Sequence, residues 1–90
     1  MCTSLVLNVA DGNHLLGRTM DFSTDLEASP VFSPRDLLWK TDLNNQTVKN
    51  RCAFVGAGKL LKNAVFADGV NEKGLSCACL YLPGEAIYSK

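Results

Sequence analysis

The sequence predicts a strand-dominated fold built from antiparallel sheets, and three observations point that way. Short apolar, β-branched runs alternate with clusters of Gly, Pro, Asn and Asp. No segment carries a convincing amphipathic helical repeat. Several runs are apolar on both faces, for example Cys77-Ala78-Cys79-Leu80-Tyr81-Leu82. A sheet made of such strands needs cover on both sides, usually from helices. Those helices are not expected within these 90 residues, so the chain reads as the front part of something longer.

Residues 2–9 and 14–20 form the first two expected strands, joined by Ala10-Asp11-Gly12-Asn13, whose residue types tolerate positive φ. With Asp11-Gly12 as a two-residue turn, Cys2 falls opposite Asp21, and Arg18 falls opposite Leu5 on the other face. Residues 23–28 are polar and irregular. Residues 31–35 and 37–40 read as short strands that Pro30 and Pro34 confine to edges or strand starts. The Asn-rich stretch 41–50 reads as a loop, and 51–57 and 63–67 read as buried strands. Gly56-Ala57-Gly58-Lys59 and residues 68–74 are expected turns, 75–82 a strand ended by Pro83-Gly84, and 85–90 the start of a helix. With no repeat, low-complexity tract or linker, residues 1–90 are expected to be the N-terminal part of a single domain.

Composition excludes several classes of function. Nine basic residues balance nine acidic ones, and no Lys/Arg cluster stands out, so neither nucleic acid nor an anionic membrane is an expected partner. A hydrophobic share of 47% against 20% charged residues fits a globular chain with a core. No apolar run approaches the roughly 20 residues needed to span a bilayer. The first residues lack a basic segment followed by an apolar one, so no secretory signal is expected. The four cysteines are then expected as reduced thiols in a cytoplasmic protein. Asn45-Gln46-Thr47 is taken as a polar loop.

Cys2 is the residue richest in chemistry. Once Met1 is removed, one residue carries a thiol and a free α-amine, with reference pKa values of about 8.5 and about 7.7–8.0. The amine is then partly unprotonated near neutral pH and takes the thiol's proton, so nucleophile and base form one unit. Arg18 and Asp21 return along the second strand to its neighbourhood: a cation favours the thiolate, and a carboxylate orients the ammonium. The same trio also fits a solvated hairpin end beside a small apolar cysteine. The remaining signals have plainer readings. Cys77-x-Cys79 lacks a second Cys/His pair for zinc and is read as two buried strand cysteines, and Cys52 as core. The stretch around Gly56 lacks the Gly and Ser/Thr that a phosphate loop requires. His14 is a surface residue at the hairpin shoulder, and Met20, Phe22, Leu80 and Leu82 are first of all core.

Four motifs occur in order: Met1-Cys2-Thr3-Ser4-Leu5, Gly17-Arg18-Thr19-Met20-Asp21-Phe22, Phe66 to Ala78 around Asp68-Gly69-Val70-Asn71-Glu72-Lys73-Gly74, and Leu80-Tyr81-Leu82-Pro83-Gly84. Together they resemble the N-terminal part of the choloylglycine hydrolase family, which comprises penicillin V acylases and conjugated bile salt hydrolases. The resemblance implies an α+β fold of the N-terminal nucleophile hydrolase type, an αββα sandwich, to which this chain supplies mainly antiparallel strands. It implies Cys2 as nucleophile and base, Arg18 beside the thiol, and Asp21 holding the amine. Tyr81 falls where the family supplies a backbone N–H to the oxyanion hole, and Met20, Phe22 and Leu80 fall where an acyl pocket would be lined. A side-chain Asn donor and a second Arg of the family's catalytic set have no counterpart in these residues.

The activity implied is hydrolysis of a linear, non-peptide C–N amide in a small-molecule acyl amide, without cofactor or metal. Tyrosine at position 81 resembles the penicillin V acylases, where bile salt hydrolases more often carry asparagine, so penicillin V-like amides are the first expectation and conjugated bile salts the alternative. A catalytically inert truncated fragment is the alternative from a different class. The resemblance also implies a homo-oligomer, a tetramer.

Overall fold

The computed structural model describes residues 2–21, 25–41, 44–61, 64–80, 84 and 87. Among these are nine strands and no helix. The chain divides into two compact units, one of Met1–Leu26 with Ala78–Lys90, the other of Glu27–Cys77. The expected helix at 85–90 lies outside the described residues apart from Ile87, which is fully exposed.

In the first unit, β1 (Ser4–Asn8) and β2 (His14–Arg18) pair as an antiparallel hairpin. Its loop has three residues, one more than the sequence reading assumed. Gly12 N donates to Val9 O at 3.1 Å, Val9 N donates to Asn13 O at 3.0 Å, and Gly12 sits at φ +85°. This is a type I turn followed by a left-handed glycine, a favoured three-residue connection. Asp11 braces the turn, its carboxylate accepting from Asn13 N at 3.0 Å and Asn13 Nδ2 at 2.7 Å. His14 is exposed beside Asn8, as expected for a hairpin shoulder.

The second unit holds β3 (Ser29–Ser33), β4 (Leu38–Lys40), β5 (Thr47–Lys49), β6 (Phe54–Leu60), β7 (Ala64–Phe66), β8 (Asp68–Asn71) and β9 (Ser76–Ala78), whose last residue already belongs to the first unit. The main sheet runs β3-β6-β8-β9, with β7 also paired to β6, and β4 pairs with β5. Pro30 lies on β3 at the sheet edge, where its missing N–H costs no ladder bond. Three expectations are corrected here. Gly56-Ala57-Gly58-Lys59 is the middle of β6 and not a turn, residues 68–71 are a strand, and 47–49 pair within the supposed loop. The true turn is Glu72-Lys73-Gly74, with Gly74 at φ +86° and Asn71 Oδ1 accepting from Lys73 N and Leu75 N, each at 3.0 Å.

Glycines inside β6 have a local cause. Gly58 pairs with Phe66 in β7, whereas Val55 pairs with Val70 in β8, so the facing chain gains one residue between them. Ala57 meets two residues: its carbonyl accepts from Ala67 N at 2.8 Å, and its N–H donates to Asp68 Oδ1 at 2.9 Å. That is a β-bulge, with a carboxylate replacing the carbonyl the ladder has lost. Beside it the two backbones close up so far that a Cβ on Gly56 would lie 1.9 Å from Asp68 O.

The described core is thin. Val31 (8% exposed) and Ser33 (5%) are its buried side chains, and Phe54 meets Phe66 edge-on at 4.8 Å between ring centroids. Ser33 Oγ accepts from Asn50 Nδ2 at 2.7 Å, and Asn50 also accepts from Trp39 Nε1 at 3.1 Å, so the buried hydroxyl is satisfied. On the opposite face Phe32, Val55 and Val70 form an apolar row across three strands, each at least 40% exposed. A sheet face with such a row calls for cover, usually from helices.

Candidate active site

The hairpin register decides what can meet at Cys2. The three-residue loop pairs Ser4 with Arg18 and Val6 with Leu16, one residue away from the predicted pairing. Because strand side chains alternate, a one-residue slip moves every side chain of one strand to the other face relative to its partner. The predicted arrangement, Cys2 opposite Asp21 and Arg18 opposite Leu5, is therefore overturned. Continuing the observed register sets Cys2 opposite Met20, with Arg18 a diagonal neighbour on the same face. Diagonal neighbours stand about 7–8 Å apart at their Cβ atoms, within the span of an arginine stem. Cys2, Leu16, Arg18 and Met20 are all half-buried, whereas Ser4 and Val6 on the same face are exposed, Val6 at 65%.

Beyond Ser4 the ladder closes in an irregular way. Thr19 N donates to Thr3 O at 2.8 Å, but the returning bond does not reach the Thr19 carbonyl. Thr3 N, the amide directly after Cys2, donates instead to Thr19 Oγ1 at 3.0 Å. The Thr19 carbonyl accepts from Arg18 Nε at 3.3 Å. Arg18 Nη2 is shielded from solvent. Thr19 thus joins the peptide that carries the thiol to the side chain that carries the positive charge. Sequence reasoning missed it, since threonine is ordinary in any strand.

Asp21 is exposed and lies one step past Met20, on the side of the Cys2 backbone nitrogen. Cys2 itself is half-buried and outside any disulfide. Leu80 is 48% exposed and not the core residue expected of it. Tyr81, Phe22, Leu82 and Met1 lie outside the described residues. Cys77 and Cys79 are exposed thiols where buried ones were expected, and Cys52 is half-buried. Among the described residues no group of three or more His, Cys, Asp or Glu could hold a metal ion, and no helix is long and apolar enough to cross a membrane.

Ion pairs in the second unit move the acidities of Glu72, Arg35 and Glu27. Arg35 forks onto Glu72, donating from Nε to Oε1 at 2.9 Å and from Nη2 to Oε2, while Glu72 Oε1 also accepts from Ala53 N at 3.0 Å. The hydrogen bond from Arg35 is the larger cause, and the Glu72 carboxyl is held at about 2. The same pair raises Arg35, and Lys59 lowers Glu27. These pairs tie segments of the second unit to its strands.

The family model for linear amide C–N hydrolases, choloylglycine hydrolase family, matches residues 2–90, and the chain belongs to that family. The bile salt hydrolase/transferase of Clostridium perfringens (strain 13 / Type A) is 41% identical over 91 residues, covering all of this chain and 28% of the relative. A bile salt hydrolase/transferase of Bifidobacterium longum subsp. longum is 28% identical over 89 residues and is covered to the same 28%. Crystal structures of the conjugated bile acid hydrolase from Clostridium perfringens superpose over the whole chain. Its C2A mutant does so with a TM-score of 0.88 at 40% identity, and its R18L variant with 0.86 at 36%. The chain spans 28% of the length of the curated relatives it matches.

Proposed function

We propose that this chain carries the nucleophile-bearing part of an N-terminal cysteine amidohydrolase that cleaves conjugated bile salts. The sandwich of two sheets between helical layers, with these residues as the N-terminal part of its single domain, belongs to the same proposal. The observation that supports the reading is the hairpin register, which pairs Ser4 with Arg18 and, continued to Cys2, makes Arg18 a diagonal neighbour of the half-buried thiol. The choice of bile salts over penicillin V rests on the relatives' names, both of which specify bile salts. The penicillin V expectation rested on Tyr81, which lies outside the described residues.

In the proposed reaction Met1 has been removed and the α-amine of Cys2 accepts the thiol's proton. The positive charge of Arg18 favours the thiolate. Sγ attacks the amide carbonyl, and the tetrahedral oxyanion is met by fixed N–H donors, the Tyr81 amide among them. Collapse expels glycine or taurine, which takes the proton from the α-ammonium, and leaves a thioester on Cys2. Water then clears the acyl group. Asp21, on the side of the Cys2 nitrogen, orients the ammonium. Met20 and Leu80, with Phe22, contact the acyl portion. The double name hydrolase/transferase fits an acyl-enzyme open to either water or an amine.

Incubation of the full-length protein with glycocholate, taurocholate and penicillin V tests the reading, with released glycine, taurine or 6-aminopenicillanic acid measured. Release from the bile conjugates is expected to be faster, and Cys2→Ser is expected to lower it by about 10³-fold or more. Absence of bile conjugate turnover, or a Cys2→Ser variant of wild-type rate, would overturn it. Intact mass reports Met1 separately, and retained methionine in an active protein would refute the amine as base.

A further inference from the structure

We propose that Thr19 is a positioning residue for Cys2, a role that rests on the reading of Cys2 as nucleophile. In a regular antiparallel pair the amide of residue 3 and the carbonyl of residue 19 would bond directly. Here the Thr19 hydroxyl replaces its own carbonyl as acceptor for Thr3 N at 3.0 Å, while Thr19 N holds Thr3 O at 2.8 Å. The peptide that follows the thiol is therefore gripped at both its N–H and, one atom group further on, its residue's carbonyl. The carbonyl so released accepts from Arg18 Nε at 3.3 Å. One side chain fixes the backbone of the nucleophile and frees the acceptor that steadies the neighbouring guanidinium.

Near-attack geometry is sensitive at the ångström level, so a grip on the peptide next to the thiol matters to its reaction. Serine keeps the acceptor. Valine keeps the β-branched shape and strand preference but removes the oxygen. Without the hydroxyl, Thr3 N must turn to the Thr19 carbonyl, which draws the strands together and shifts the oxygen that Arg18 Nε meets. The loss should therefore fall on the chemical step at Cys2 more than on substrate binding.

The test compares Thr19→Val and Thr19→Ser in the full-length protein by steady-state kinetics on a bile conjugate. The pH profile of iodoacetamide alkylation at Cys2, located by mass spectrometry, is the second readout. The expected result for Thr19→Val is a kcat lower by about tenfold or more with KM nearly unchanged. Its alkylation profile should be displaced from the wild-type one, and Thr19→Ser should restore both. Where valine weakens folding, Thr19→Ala against Thr19→Ser makes the same comparison. A reactive wild-type Cys2 with an unchanged Thr19→Val variant would overturn this role alone. An inert wild-type Cys2 would overturn the catalytic reading and this role with it.

Discussion

Gly56→Ala should unlock the bulge at the centre of the second unit. The new Cβ would lie 1.9 Å from Asp68 O, 2.8 Å from its carbonyl carbon and 2.9 Å from Gly69 Cα, all backbone atoms that cannot swing aside. Ordinary contact begins near 3.4 Å, so β6 and β8 would have to part by about 1.5 Å. Strands pair about 4.7–4.9 Å apart, and that displacement takes hydrogen bonds out of range. The bonds at risk are Ala57 N to Asp68 Oδ1, Ala67 N to Ala57 O, and the pairing of Val55 with Val70. At about 1 kcal/mol net for each, the loss is about 3 kcal/mol. Reduced freedom of the unfolded chain returns about 0.4–1 kcal/mol, leaving a net destabilisation of about 2–3 kcal/mol. Urea unfolding of the full-length protein measures it, with Gly17→Ala as control, since a Cβ there meets nothing nearer than Leu5 Cδ1 at 3.7 Å. Equal midpoints for the two variants would refute the close approach as the reason for glycine at position 56.

Other outcomes follow from the same geometry. Gly12→Ala meets no atom within 4 Å, so its cost is purely that of the left-handed backbone, about 1–2 kcal/mol. Gly12→Asn should recover part of it in the same unfolding experiment, because asparagine tolerates that region. The Glu72 carboxyl is held at about 2 against an ordinary 4.5, chiefly by Arg35. The unfolded chain therefore binds more protons between those values, so the stabilisation is complete above pH 4.5 and is lost as pH falls toward 2. The melting temperature should fall on acidification more steeply for the wild type than for Glu72→Gln, and parallel curves would count against the pairing.

Strand existence was legible where short apolar runs met turn residues, as in β1, β2 and β3. Strands made of turn-type residues were not. Asp68-Gly69-Val70-Asn71 reads as a turn because Asp and Gly are turn residues. In the sheet the aspartate repairs a bulge, and the two glycines at 56 and 69 admit a close backbone approach. β5 was hidden by its three-residue length amid asparagines. At the candidate site, chemistry and family resemblance single out Cys2, Arg18 and Asp21. Their relative placement was not legible, because it depends on a register that local composition underdetermines. Asp11-Gly12 suits a two-residue turn as well as a three-residue one.

That single ambiguity carries the functional argument. Read as a two-residue turn, the hairpin points Arg18 away from Cys2, and the trio looks like solvated charge at a strand end. Read as observed, the loop adds Ala10, the pairing slips by one, and Arg18 comes to the face of the thiol. Asp21 then passes beyond Cys2 toward its nitrogen, which is where a carboxylate serves an ammonium and not a thiol. Under the proposed function, a turn several residues from the chemistry would bring the guanidinium toward the sulfur and the carboxylate toward the nitrogen. Replacing Gly12 tests this link beyond stability. If the left-handed glycine holds the register, Gly12→Ala should lower turnover of bile conjugates at a temperature where the fold persists, and Gly12→Asn should restore it. Full activity in a folded Gly12→Ala protein would show that the pairing of β1 with β2 is fixed elsewhere.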